Sequence, residues 1–228
     1  MTAVHLQAPR HMLTRSYRIA QRTIRLLPSW LVRIRPFVVY EIHLRDAEAT
    51  PFLRPASLPC SVRWVSVDTE ASALEPLATV DTIRRWDGRS CRAAGVWLDE
   101  RIIGCAWIAY QTFSEEEIGL DVVLSQSEAW LFAAHVGSEW RHQGVYGLLL
   151  QFLIAELKTG GLERLLFGVT LGNEISRRAH VRHGAVPVGS IMAIKSLGIR
   201  CCLRTGRIRR DSQPFAWRRP IRLAVESR

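Results

Sequence analysis

Apolar positions change period several times along the chain. From 13 to 33 they follow helical spacing: Leu13, Tyr17, Ala20, Ile24, Leu27 and Leu31 fall on one face, and Arg15, Arg18, Arg22 and Arg25 on another. The pattern predicts an amphipathic helix, which Pro28 kinks or breaks. Phe37–Leu44 is rich in β-branched and aromatic residues and reads as a strand. Residues 46–60 contain three prolines and read as a loop, 62–67 as a short strand, and 69–86 as a helix. Two hairpins are predicted next, 95–98 with 102–110 and 117–124 with 128–136. A strongly apolar helix covers 144–159 and ends at Gly160-Gly161. Strand 165–171, helix 174–183 and strands 186–194 and 199–203 complete the order. Antiparallel meanders around one βαβ unit predict an α/β (α+β) domain with a mixed, mostly antiparallel central sheet.

Charge divides the same chain differently. Residues 1–40 hold seven arginines and no acid, and 199–228 hold nine against Asp211 and Glu226. Each end carries +7, and the middle is mildly acidic. The expected organisation is therefore a basic N-terminal helix over 1–36, a domain over 37–205 and a basic tail over 206–228. Basic ends suit an anionic membrane surface or an acidic protein; nucleic acid is the weaker match. They equally reflect a preference for arginine, since 29 of 31 basic residues are Arg. No apolar run is long enough for a bilayer, and the start lacks the pattern of a signal peptide. Five dispersed cysteines without Cys-x-x-Cys spacing fit a reduced cytoplasm and offer no metal site. Trp107 and Trp130 fall in strands and read as core; Trp217 would pack the tail back on the domain.

The candidate chemistry lies in two segments. Val136–Gly147 runs from a strand into a helix. A helix N-terminus offers unpaired N–H groups to an anion, Gly144 permits close approach, and Arg141 and His142 add positive charge. The second, Asn173–Ala185, follows the next strand. Asn173 there can cap a helix, and Gly184 can end it.

Together these segments resemble the GNAT (GCN5-related N-acetyltransferase) superfamily over about 92–195. Val136, Arg141 and Gly144 match its acyl-CoA loop, Arg-x-x-Gly-x-Gly/Ala after a strand. Asn173 and Gly184 match its Asn-x-x-Ala-x-x-x-Tyr-x-x-x-Gly-Phe segment, with Ser176, His180 and Ala185 at the Ala, Tyr and Phe positions. Ser138 stands where proline is usual, and Tyr146 where a small residue is usual, with Gly147 one place late. The resemblance implies acetyl transfer from acetyl-CoA to a primary amine of an unidentified acceptor, with no metal. It implies a donor site of Ala134 and Val136 for the pantetheine and carbonyl, and of Arg141, His142, Gln143, Gly144, Val145, Tyr146 and Gly147 for the pyrophosphate, with Asn173 and Ser176 beside them.

His180 stands where the family often has the tyrosine that protonates the leaving thiolate, and is the first candidate acid; a packed or solvated helix histidine is the alternative. His135, beside the implied thioester, is a candidate base unless it points to the opposite face. Glu117 and Glu128 are remote base candidates or solvated strand-end charges. His183 and Arg182 read as surface residues, with Arg182 able to reach a CoA phosphate. Two other functions stay open: a non-catalytic acyl-CoA-binding module whose basic ends dock on a membrane or nucleic acid, and an acyltransferase using a longer acyl-CoA or acyl-carrier protein.

Overall fold

A computed structural model describes residues 32–46, 57–74, 78–116, 118–210, 215–217 and 220–227. In chain order the elements are β1 (Val32–His43), β2 (Ser61–Val65), α1 (Val67–Leu74), α2 (Val80–Asp87), β3 (Cys91–Leu98), β4 (Arg101–Ala109), β5 (Thr112–Glu115), β6 (Leu120–Val123), β7 (Glu128–Val136), a 3₁₀ turn (Ser138–Trp140), α3 (Val145–Thr159), β8 (Arg164–Thr170), α4 (Glu174–Val181), β9 (Val186–Ser196), β10 (Ile199–Gly206), β11 (Ile208–Arg210), β12 (Phe215–Trp217) and β13 (Ile221–Val225). Nine strands form a mixed sheet in the order β12-β10-β9-β1-β8-β7-β4-β3-β2, and β11-β13-β6-β5 form a second. Among the described residues of the large sheet only β7 and β8 pair in parallel, as the arms of one βαβ unit.

α3 supplies one covering layer. Val145, Leu149, Leu153 and Leu157 recur every four residues, and all are buried with Leu150 against Ile103, Ala106, Ile108, Leu131 and Phe167. Each such side chain contributes roughly 1.5–3 kcal/mol by leaving water. α1, α2 and the second sheet cover the opposite face. There Leu74, Ile83, Leu120, Val122 and Leu223 pack with Trp107 and Trp130, as their strand positions predict. Trp86, Phe113 and Phe132 add ring contacts at 5.1–5.2 Å.

The N-terminal strand is more central than its position in the chain suggests. β1 lies between β8 and β9 and pairs antiparallel with both. It starts at Val32, so the expected domain boundary at 36/37 falls inside a strand. Residues 32 and 33, expected as the end of a helix, are strand; the rest of the helix expected over 13–33 lies outside the described residues.

β1 carries Glu41, fully buried, into the closed end of the β7/β8 pair. Arg164 Nη1 donates to Glu41 Oε2 at 3.0 Å. Its Nη2 donates to Glu128 and, at 2.9 Å, to the Val225 carbonyl. Arg207 bonds the other Glu41 oxygen and, at 3.1 Å, the Glu226 carbonyl. Burial pushes the Glu41 carboxyl up, but Arg207, His43 and Arg164 outweigh it and hold it below its ordinary value. Glu128 is thus part of a buried ion network, not a solvated strand-end charge. Glu117 lies outside the described residues.

Several expected elements need correction. The helix expected over 69–86 is two helices, with Pro76 between them; Thr79 caps the second, accepting from Thr82 N at 3.4 Å. β6 and β7 do not form a hairpin. β6 joins β5 and β13, while β7 enters the large sheet between β4 and β8. The described parts of the expected basic tail over 206–228 include three strands: β11 and β13 join the second sheet, and β12 pairs with β10. Its arginines are partly used internally, Arg207 on Glu41 and Arg209 on Glu226. The side-chain packing expected of Trp217 falls outside the described residues.

Gly206 shows why the β10–β11 corner needs glycine. Its φ is +70°, and an added Cβ would lie 2.3 Å from the Val188 carbonyl oxygen, a backbone atom that cannot swing aside. Gly206→Ala is expected to destabilise the protein by at least about 2 kcal/mol, the left-handed backbone and the contact adding together. Urea unfolding of the variant against wild type measures this, and an unchanged midpoint contradicts it.

Candidate active site

The parallel strands part company halfway. β7 and β8 pair from Glu128↔Arg164 to Leu131↔Phe167, and there the ladder stops. Beyond it β7 continues through Phe132–Val136 and β8 through Gly168–Thr170 without pairing to each other. A bulge assists: the β4/β7 register shifts between Cys105 and Trp107, and Ala133 takes φ +47°. Ala133, Ala134 and His135 are consequently exposed although β7 has sheet neighbours on both sides. Such a gap leaves backbone N–H and C=O groups of one edge available to a ligand.

At the head of the gap the chain turns into α3. His142 has φ +65° and Gly144 φ +83°; the latter is the helix N-cap and makes no side-chain cap bond. A residue without Cβ meets this left-handed backbone without strain. The first turn of α3 contains no acid, so its N–H groups and dipole face an anion unopposed. Arg141 folds back, its Nε donating to the Val136 carbonyl at 3.1 Å. One of the expected pantetheine acceptors is therefore already engaged by the loop itself.

The opposite wall is α4. Asn173 caps it, Oδ1 accepting from Ser176 N at 3.2 Å. His180 is only 5% exposed; it stacks on Phe167 with ring centroids 4.0 Å apart. Its Nδ1 lies 2.7 Å from the Ser176 carbonyl oxygen, and its Nε2 2.6 Å from the Tyr146 hydroxyl. Burial lowers the His180 pKa, and the Ser176 carbonyl opposes that shift. Burial raises that of Tyr146.

Between these walls lies a cleft of about 1220 Å³. It is ample for an extended nucleotide-bearing ligand. Ala134, His135, Val136, Arg141, His142, Gly144, Val145, Tyr146, Gly147, Asn173, Ser176 and His180 all line it. Of the expected site only Gln143 does not; its side-chain amide donates to the Glu139 carbonyl at 2.9 Å. Among the described residues lining the cleft none is acidic, while Arg141 and Arg182 are cationic. His183, expected at the surface, is buried and lines the cleft as well, its Nδ1 lacking a hydrogen-bond partner. Burial and the neighbouring His180 lower its pKa to about 4. His183 lies in the turn after α4, three residues beyond His180, and that short spacing could have flagged the two as neighbours.

His135 has a second neighbour. It also lines a cavity of about 310 Å³ with Ala73, Arg101, Ser138, Glu139 and Trp140, on the side covered by α1. It pairs across the ladder with Cys105, which belongs to the α1/α2 face. His135 thus stands between the cleft and the opposite side of the sheet. Among the described residues no group of His, Cys, Asp and Glu is arranged to hold a metal ion. None of the five cysteines forms a disulfide, and burial raises the thiols of Cys91 to about 11 and Cys105 to about 12.

The split parallel strand pair, the anion loop at the α3 N-terminus and the facing helix α4 all lie at or within the segment that a known family model matches. The chain belongs to the acetyltransferase (GNAT) family, whose model matches residues 62–185, more than half of its length. No curated protein sequence matches it significantly. Among solved structures it is similar to a GCN5-related N-acetyltransferase from Sphaerobacter thermophilus, at 15% identity and TM-score 0.52, over 78% of this chain and 56% of that one. It is also similar to a GCN5-related N-acetyltransferase from Kribbella flavida, at 13% identity and TM-score 0.51, over 80% of this chain and 63% of that one. At these identities the likeness carries the fold, and this chain spans less than two thirds of either relative. β1 lies outside the matched segment, yet it pairs along one whole side of β8.

Proposed function

We propose that the protein transfers an acetyl group from acetyl-CoA to a primary amine. The observation that carries this reading is the gap between Phe132–Val136 and Gly168–Thr170 opening into the same acid-free cleft as the α3 N-terminus. The N–H groups of the first turn after Gly144, with Arg141, His142 and Arg182, would hold the pyrophosphate. The edge at Ala134–Val136, where Arg141 already occupies the Val136 carbonyl, would hold the pantetheine and polarise the thioester carbonyl. Asn173 and Ser176 form the facing wall. An amine reaching His135 from the 310 Å³ cavity would meet the thioester from the opposite face of the sheet. An alkylammonium, with a pKa of about 10, must lose a proton before it attacks. His135, on the cavity side, is the histidine placed to take that first proton, and His180 stands behind Tyr146 on the other side of the gap.

A cytoplasmic location with contact to an anionic surface is part of the same proposal. Among the described residues no helix is long and apolar enough to cross a membrane. With Arg207 and Arg209 paired internally, that contact would fall to the other arginines.

The test is release of CoA from acetyl-CoA across a panel of primary amines, run beside thermal melts with acetyl-CoA, octanoyl-CoA and CoA. Acetyl-CoA is expected to raise the melting temperature and to be consumed with at least one amine. Binding without CoA release from any amine would favour the non-catalytic module. A stronger shift with octanoyl-CoA would favour a longer donor.

A further inference from the structure

One polar contact crosses the cleft. Tyr146 comes from the first turn of α3 and His180 from α4, and the hydroxyl lies 2.6 Å from Nε2. The other ring nitrogen fixes the sense of this bond. Nδ1 is 2.7 Å from the Ser176 carbonyl oxygen, which can only accept. Nδ1 therefore carries the imidazole proton and Nε2 a lone pair, so the Tyr146 hydroxyl donates to Nε2. With its proton directed at His180, the phenol oxygen keeps its lone pairs for a donor in the cleft. Phe167, stacked on the His180 ring, pairs with Leu131 at the last rung before the strands part. The Tyr146–His180 pair therefore stands at the apex of the gap.

We propose that Tyr146 is a catalytic residue and that His180, acting through it, completes a shuttle that carries one proton from the acceptor nitrogen to the leaving sulfur. This rests on the acetyl-transfer reading above. The amine nitrogen attacks the thioester carbon; the C–N bond forms and the carbonyl π pair moves onto oxygen. The nitrogen's proton passes to the Tyr146 oxygen as the phenol's own proton passes to His180 Nε2. The Ser176 carbonyl supports the transient imidazolium through Nδ1–H. The carbonyl then re-forms and the C–S bond breaks, its electron pair leaving with sulfur. Nε2 returns its proton to the phenol oxygen, and the phenol protonates the thiolate. CoA leaves as the thiol, the pair is restored, and no further reactant is needed. Nitrogen and sulfur sit on the same carbon in the adduct, so one oxygen can serve both.

The surroundings keep the resting pair neutral. Burial favours uncharged imidazole in His180 and uncharged phenol in Tyr146. The other titratable or charged groups facing the pair are His183 in the turn after α4, Tyr40 of β1, which also stacks on Phe167, and His135, Arg141, His142 and Arg182 on the cleft walls. His183 is neutral near pH 7, and the two arginines oppose a lasting imidazolium.

The experiment compares wild type, Tyr146→Phe and His180→Gln, using acetyl-CoA and the primary amine that gives the fastest CoA release. Tyr146→Phe keeps the ring and loses the shuttle. It is expected to lower kcat about 10²–10⁴-fold while the melting shift with acetyl-CoA persists. His180→Gln still offers an oxygen to the phenol but cannot carry a proton. In wild type kcat should fall on the acid side as His180 becomes protonated, and both variants should lose that limb. A Tyr146→Phe enzyme with wild-type kcat and pH profile, beside an active wild type, overturns the shuttle alone. A folded wild type that neither binds acetyl-CoA nor releases CoA with any amine overturns the acetyl-transfer reading, and the shuttle with it.

Discussion

Arg164→Ala is expected to cost about 3–5 kcal/mol of stability, the range for removing one partner of a buried ion pair. Both carboxylates that face Arg164 are buried, Glu41 completely and Glu128 nearly so. Without the guanidinium, Glu128 loses its cation, and Glu41 keeps only Arg207 and His43. The Val225 and Glu226 carbonyls lose donors as well. For a chain of this size the melting temperature should fall by roughly 10 °C. Arg164→Ala combined with Glu128→Ala should recover part of the loss, because the stranded charge is then gone. A single variant that melts with wild type would mean that water replaces the guanidinium. The pH dependence has a definite sign. Glu41 is held below its ordinary carboxylate value, so its contribution is fully present above about pH 4.3 and is lost as pH falls through the lowered value. Glu41→Gln should flatten the acid limb of melting temperature against pH; an unaltered limb would assign it to other carboxylates.

Gly144→Glu should abolish the thermal shift produced by acetyl-CoA. A ligand present at 100 times its Kd stabilises the folded state by about 2.7 kcal/mol, roughly 5–10 °C here. Two effects combine against it. A side chain at φ +83° strains the turn by about 1–2 kcal/mol, and the melt without ligand should drop accordingly. The new carboxylate also sits on the N–H groups of the α3 first turn, in competition with the pyrophosphate. Gly144→Ala separates the two, since it carries the strain without the charge and should keep a reduced shift. An undiminished shift in Gly144→Glu would move the pyrophosphate away from this loop.

Much of the site was legible because its signals are local. Gly144 before an apolar helix, Asn173 three residues before Ser176 and the spacing of Arg141 are read within a few positions, and all but Gln143 of the expected residues line one cleft. Gln143 is diverted by a bond to Glu139, four residues back, that composition does not encode. His183 and Glu128 misled for one reason: both are polar types that usually stay wet, and only long-range packing buries them. Tyr146 looked like an intrusion into an anion loop. Its partner, His180, is 34 residues away and comes into reach only when α3 and α4 face each other across the gap.

The sequence by itself determined the mixed class of the sheet, the βαβ unit, the anion-binding turn and the capped helix after it, because periods of two and 3.6 and the demands of helix ends are properties of neighbouring residues. Only the tertiary structure decided that β1 lies between β8 and β9, that β6 leaves β7 for a second sheet, and that the basic C-terminal segment folds back to supply Arg207 to Glu41. Strand pairing and buried charge are settled by what must be covered on two faces at once, and residues far apart in the chain share that requirement.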